Sequence, residues 1–197
     1  MQRKRQKIWE EAPATLVPKK IRSDLCNAAV SLGKSVRYRG AGTVEFLLDQ
    51  DTGNFFFLEM NTRIQVEHPA TEMITGIDLV REMIRVSSGE QLRYSQEEIL
   101  SRGHAIEVRI NAEDPTNEFM PCPGTVNELS IPGGPGVRFD SMLYSGCDIP
   151  PFYDSLLGKL IVWDENRSAA MRRLESALSE LKIDGINTTV GLLRTLV

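Results

Sequence analysis

Long apolar runs are missing from this sequence of 197 residues. None approaches the ~20 residues of a membrane-spanning helix. The opening "MQRKRQKIWEEAP" lacks the apolar centre of a secretory signal, so neither a membrane segment nor a leader is expected. Cysteine is scarce. Cys26, Cys122 and Cys147 are odd in number, far apart and form no CxxC pair, which argues against zinc sites and redox motifs. Reduced thiols in a cytoplasmic protein are the simplest account. Basic charge is not in excess either. Against 27 acidic residues stand 23 Lys and Arg, a net charge of −4, so no footprint for nucleic acid exists. The cluster Arg3, Lys4, Arg5, Lys7 is local, is followed by Glu10 and Glu11, and alone reads as a solvated segment. The glycine-rich "PGGPGVR" has no following G-K-[ST] and so is no Walker-type phosphate loop; Gly133, Gly134 and Gly136 around Pro135 are turn chemistry.

What is present suits a globular chain with a real core: 41% hydrophobic and 25% charged residues, without repeats or low-complexity segments. Residues 20–32 carry an apolar face with Gly33 as a plausible stop. A helix is expected to start at Asp78, a good N-cap, and run to Gly89, and Ser95 with Glu98 forms a capping box. "HAIEVRIN" alternates strictly and predicts a half-buried strand with Ile106, Val108 and Ile110 inward. "TVNELSI", "GVRFDS" and "LLGKLIVW" predict further strands. Asn166 to Leu181 predicts an amphipathic helix, and a last helix begins near Asn187. A soft domain boundary falls at residues 95 to 103.

Two apolar runs, "TVEFLL" and "FFFLEM", flank "DQDTGN" and predict a hairpin. With the loop at residues 50–54, Asp49 faces Phe55 and Glu45 faces Glu59. Like charges directly across a strand pair are destabilising, so a shared proton, a nearby base or a bound cation must offset them. Asn61, two residues on, shares the face of Glu59 if the strand continues. Two carboxylates and an amide oxygen are hard ligands suited to Mg²⁺ or Mn²⁺. A register displaced by one residue would instead send both glutamates to solvent, and the hairpin alone leaves the two readings open.

Past Asn61, Arg63, Gln65 and Glu67 fall on one side of an extended backbone. A guanidinium fork suits a small oxyanion, and a carboxylate beside it can serve as a base; the bland alternative is an exposed loop salt bridge. His68, without a second histidine nearby, reads as a structural hydrogen-bonder.

The run "EMNTRIQVEHP", followed by "TEMITGIDLV", with "RGAGTVEF" before it and "RGHAIEVRINAEDP" after it, resembles biotin carboxylase, an ATP-grasp ligase family. The resemblance extends from "MQRKRQK" through "PPFYDSLLGKLIVW" to "IDGINTTV". It implies an α+β fold: the C-terminal part of an ATP-grasp domain (antiparallel sheet with flanking helices) over residues 1–100, then the biotin carboxylase C-terminal domain over 101–197. It implies carboxylation of biotin by bicarbonate, with ATP first giving carboxyphosphate. By motif position Glu45 and Glu59 resemble metal and nucleotide ligands, Asn61 a further metal ligand, and Gln2, Arg5 and Leu47 nucleotide contacts. Arg63, Lys7 and the Val66 backbone N–H resemble bicarbonate contacts, Glu67 the base, and Arg109 the biotin contact that stabilises its enolate. Pro135 and Arg138 stand where the family dimerises. Arg5 departs from the family's usual histidine and Pro135 from its bulky aromatic.

The resemblance further implies ATP with Mg²⁺ or Mn²⁺ and a biotin carboxyl carrier protein or domain. A carboxyltransferase, a homodimer and a cytoplasmic setting (mitochondrial matrix in a eukaryote) are also implied, without nucleic-acid or membrane partners. The family's N-terminal domain and lid have no counterpart in these residues, so the isolated chain is expected to be inactive. An inactive folding or dimerisation module, or another ATP-grasp ligase such as a carbamoyl-phosphate synthetase, is the alternative.

Overall fold

The computed structural model describes all residues except Lys4 and Arg5. In chain order the first strands are β1 (Gln2–Arg3), β2 (Gln6–Lys7) and β3 (Trp9–Ala12), followed by α1 (Lys19–Ser35). The hairpin strands β4 (Thr43–Leu48) and β5 (Phe55–Asn61) come next, then α2 (His68–Thr75), α3 (Leu79–Ser87) and a 3-10 turn at Gln96–Glu98. Strand β6 (His104–Asn111) precedes β7 (Glu113–Asp114), β8 (Met120–Pro121), β9 (Gly124–Thr125), β10 (Glu128–Ser130), β11 (Val137–Ser141) and β12 (Asp148–Ile149). The chain closes with β13 (Leu156–Asp164), α4 (Arg167–Glu180), β14 (Lys182–Asp184) and α5 (Val190–Leu196). All strand pairings among the described residues are antiparallel, and the fold is α+β as expected. Among those residues no helix is long and apolar enough to cross a membrane.

The chain divides into two compact units, one of residues 13–101 and one that joins residues 1–12 to residues 102–197. The first twelve residues, expected with the first domain, lie with the last because β3 pairs with β6, Trp9 opposite Val108 and Ala12 opposite Ala105. This unit is built on a four-stranded sheet in the order β11-β13-β6-β3. Ile106, Val108 and Ile110 of β6 and Leu160 and Val162 of β13 form its core with Leu174 and Leu178 of α4 and Leu193 of α5. Leu174 and Leu178 are fully buried, and burial of each such side chain contributes about 1.5–3 kcal/mol. Asn166 caps α4 as expected, its Oδ1 accepting from Ala169 N at 3.0 Å.

Several expectations change. Strand β6 is not half-buried: Glu107 is inaccessible and His104 and Asn111 are nearly so. The alternation correctly separates its apolar and polar faces but does not report that both are covered. "TVNELSI" is two strands: β9 pairs with β12 and β10 with β14, and the buried Val126 lies between. In the other unit α1 runs through Gly33 to Ser35, since nothing there requires a left-handed backbone until Arg37. Asp78 does cap α3, its Oδ1 accepting from Arg81 N at 2.8 Å, and the capping box of Ser95 and Glu98 is formed. Helix α2 is absent from the expectations; the polar residues before it read as extended chain.

One ionic knot ties β3 to α4. Glu11 accepts from Arg167 Nε at 2.7 Å and Nη2 at 2.8 Å, from Trp9 Nε1 at 3.0 Å and from the buried His104 Nε2 at 3.0 Å. Burial alone would raise the Glu11 pKa. The hydrogen bonds from Arg167, Trp9 and His104, with the Arg167 charge, outweigh it and hold the pKa at about 2 against an ordinary 4.5. A carboxylate depressed in this way stabilises the fold above its unfolded pKa and loses that contribution as pH falls through the folded one. Glu11→Gln is therefore expected to lower the urea midpoint at neutral pH, with the gap from wild type closing between pH 4.5 and about 2. Urea melts across that range measure it, and a gap independent of pH would contradict it.

Candidate functional site

The hairpin β4–β5 is closed by Asp49, whose carboxylate accepts from Asp51 N at 2.9 Å, Thr52 N at 3.3 Å and Thr52 Oγ1 at 2.7 Å. The Thr52 hydroxyl, helped by these backbone N–H groups, holds the Asp49 pKa below its usual value. Leu48, not Asp49, lies opposite Phe55, so the expected register fails near the turn. Phe46 faces Phe57, and yet Glu45 faces Glu59. The register shift between these pairs leaves Leu58 as the extra residue of a β-bulge.

The bulge decides which face the second glutamate occupies. Phe46, Phe55 and Phe57 share one face, their rings edge-on with centroids 5.5 and 6.5 Å apart. In an unbroken strand Glu59 would follow Phe57 onto that face. The extra residue turns Glu59 to the other face, beside Glu45 and the exposed pair Leu47 and Phe56.

Asn61 Nδ2 lies between the two carboxylates, donating to Glu45 Oε1 at 3.3 Å and to Glu59 Oε1 at 3.0 Å. The buried Gln65 donates from Nε2 to Glu45 Oε1 at 2.7 Å. Arg63, exposed, donates from Nη2 to Asn61 Oδ1 at 3.3 Å and from Nη1 to Ile64 O at 3.1 Å. Side chains from one hairpin and the loop after it thus form a connected polar group.

The chain beyond Asn61 does not stay extended. It bends at residues 62–63 and turns at residues 66–67 into α2, with Glu67 at the N-cap and Pro69 in the first turn. Arg63, Gln65 and Glu67 are therefore not one side of a strand, and Val66 lies in the turn. The His68 ring bonds Gln65 O through Nδ1 at 2.7 Å, a structural contact as expected.

The donor set has the chemistry of a hard divalent site: two opposed carboxylates face each other with the Asn61 amide between them, its Nδ2 toward the acids and its Oδ1 toward Arg63. Among the described residues no cluster of three or more His, Cys, Asp or Glu side chains offers a rival metal site.

The remaining predicted residues belong to the other unit. Gln2 faces Lys7 in the β1–β2 ladder. Arg109 N donates to Ile8 O at 3.1 Å, so the backbone of Arg109 lies against the residue after Lys7. Its guanidinium pairs with Glu10. Arg5 lies outside the described residues. The segment around Pro135 is a turn, with Gly134 and Gly136 at φ of 113° and 76°. Arg173 donates to Pro135 O, and Arg138 grips Asp140 through two bonds of 2.7 Å.

Two family models account for nearly the whole chain. The biotin carboxylase C-terminal domain matches residues 107–197, and the ATP-binding domain of the carbamoyl-phosphate synthase L chain matches residues 1–95. A biotin carboxylase of Nostoc sp. is 53% identical over 191 residues, covering 97% of this chain and 42% of the relative. The chain belongs to the biotin carboxylase family. A biotin carboxylase of Haemophilus influenzae is 52% identical over 98% of the chain and 42% of its own length. Among solved structures, the biotin carboxylase domain dimer of Hydrogenobacter thermophilus 2-oxoglutarate carboxylase, with MgADP, ADP and bicarbonate, superposes with a TM-score of 0.96. It is 47% identical, and the match covers all of this chain and 43% of that one. This biotin carboxylase-family chain thus spans about two fifths of the length of the curated relatives it matches.

Gln65 is the residue of this group that sequence reasoning passes over. The "RIQVEHP" run contains it, but an extended reading assigns it no partner; only the fold brings it to Glu45. Losing a buried hydrogen bond to a charged group costs about 1–3 kcal/mol, so Gln65→Ala is expected to lower stability by that amount in urea unfolding. No measurable change would mean that Glu45 is held by other groups.

Proposed function

We propose that this chain is the catalytic half of a biotin carboxylase. In the full-length enzyme it would carry out ATP-dependent carboxylation of biotin, borne on a carrier protein or domain, by bicarbonate through carboxyphosphate. The observation that carries this reading is the opposed pair Glu45 and Glu59 with Asn61 between them, one bond from the Arg63 guanidinium. An acidic cation site beside a planar anion-binding fork is what phosphoryl transfer to a small oxyanion requires.

Each predicted residue takes a role in this reading. Glu45, Glu59 and Asn61 would hold Mg²⁺ or Mn²⁺, which supplies charge neutralisation at the ATP phosphates. Leu47 offers an exposed apolar side chain to the nucleotide base, and Gln2 and Arg5 add polar contacts. Arg63 and the Val66 N–H, in the turn before α2, are assigned to bicarbonate, and Lys7 is assigned a bicarbonate contact by its family position. Glu67 takes the bicarbonate proton. Arg109 meets the negative charge that develops on the ureido oxygen of biotin.

By family position residues 1–100 correspond to the C-terminal part of the ATP-grasp domain and 101–197 to the family's C-terminal domain, while residues 1–12 pack in one compact unit with the latter. The setting we assign is the cytoplasm. A carboxyltransferase would receive the carboxyl group, and a homodimer would place Pro135 and Arg138 at its contact.

In the full-length enzyme, Glu59→Gln is expected to abolish metal-dependent ATP cleavage while the circular dichroism spectrum stays as in wild type. Wild-type ATPase activity in that variant would refute the ligand role. Arg109→Ala is expected to impair biotin carboxylation more than bicarbonate-dependent ATP cleavage. Equal losses in the two assays would remove Arg109 from the biotin step.

A further inference from the structure

A row of charges crosses the four-stranded sheet. Reading from β3 through β6 and β13 to β11, the residues are Glu10, Arg109, Lys159 and Asp140. Lys159 is the register partner of Arg109, and Asp140 that of Lys159. Glu10 lies one step along, opposite Glu107. The signs run minus, plus, plus, minus.

Two cations opposed on one sheet face repel each other. Here both are largely withdrawn from water, the Arg109 side chain 15% exposed and that of Lys159 13%. Each is drawn outward by the acid on the neighbouring outer strand. Glu10 Oε1 accepts from Arg109 Nε at 3.0 Å and lies 2.9 Å from its Nη2. Lys159 Nζ lies 3.8 Å from Asp140 Oδ2, and Asp140 is itself fixed by the two bonds from Arg138.

A carboxylate that engages Nε and Nη2 together defines the plane of a guanidinium. The edge carrying Nη1 then points away from that carboxylate. We propose that Glu10 is a positioning residue for Arg109. Its carboxylate fixes the guanidinium plane and offsets the repulsion of Lys159, so that Arg109 meets the ureido oxygen of biotin already oriented. This rests on the assignment of Arg109 to biotin made above. Orientation set before reaction lowers the barrier of the step that uses it and leaves other steps alone. A merely structural ion pair would act on all steps alike through stability.

The test uses the full-length enzyme with Glu10→Gln, Glu10→Asp, Arg109→Ala and the double variant Glu10→Gln/Arg109→Ala. The readouts are kcat and KM for biotin and the ATP cleaved per biotin carboxylated. Glu10→Gln is expected to lower kcat for biotin about 10- to 100-fold, as for loss of a charge-assisted hydrogen bond. The ATP cleaved per biotin should rise correspondingly. In the double variant Glu10→Gln should add little to Arg109→Ala. Glu10→Asp, which keeps the charge, should recover most of the loss. It also serves as the test should Glu10→Gln fold poorly, since a smaller but still selective loss is expected of it. Equal losses of ATP cleavage and biotin carboxylation, or full additivity in the double variant, would overturn the positioning role. If Arg109→Ala is selective and the Glu10 variants are not, only the Glu10 assignment falls. If Arg109→Ala is itself unselective, the biotin reading of Arg109 fails and Glu10 loses its role with it.

Discussion

Two carboxylates facing each other across an antiparallel ladder are an electrostatic liability, and the N-terminal half of this protein is arranged around that liability. Glu45 and Glu59 would drive their strands apart if left alone. The fold answers with amide donors: Asn61 bridges both acids and the buried Gln65 braces Glu45 from the loop. Arg63 then takes up the amide oxygen that Asn61 presents on its other side. The cation-attracting and anion-attracting parts are thus mechanically one group, since the same asparagine touches both. A preorganised arrangement of this kind needs little reorganisation when charge develops.

The other unit handles buried charge differently. Its strand β6 carries the buried Glu107 and His104 and the largely withdrawn Arg109. Burying such groups is costly unless each is paired. Here the pairs run across strands: Glu11 with Arg167 and His104, Arg109 with Glu10, Lys159 with Asp140. The links made by Glu10 and Glu11 join the first twelve residues to residues 102–197, so a segment remote in sequence is fastened to the sheet by both ladder bonds and charges.

Much of this is legible in the sequence, for identifiable reasons. The helix caps at Asp78 and Asn166 and the capping box at Ser95 are local devices, and local chemistry survives folding. The facing of Glu45 and Glu59 follows from a simple hairpin count. That count is wrong at Leu48 and Phe55 and right at the glutamates, because one bulge compensates for a turn one residue longer than assumed. Three features lie beyond local reasoning: the second covered face of β6, the pairing of β3 with it, and the tie from Gln65 to Glu45. Each depends on a partner distant in the chain. The polar stretch after Asn61 reads wrongly as extended because the reading passes over Pro69, a local helix-start signal in the first turn of α2.

The bulge at Leu58 also separates two kinds of evolutionary freedom. Between Leu48 and Phe55 the connection is solvent-exposed and lies on the far side of the irregularity from the acids. Lengthening it would cost only about 0.6 kcal/mol per doubling of its length and leave the ladder undisturbed. Removing Leu58 would restore a regular ladder with Glu59 still opposite Glu45, but would take away the bend and added twist that the bulge gives the strand carrying Glu59 and Asn61. Variation among homologues should therefore concentrate in the turn, while the count of residues from Phe57 to Asn61 stays constant.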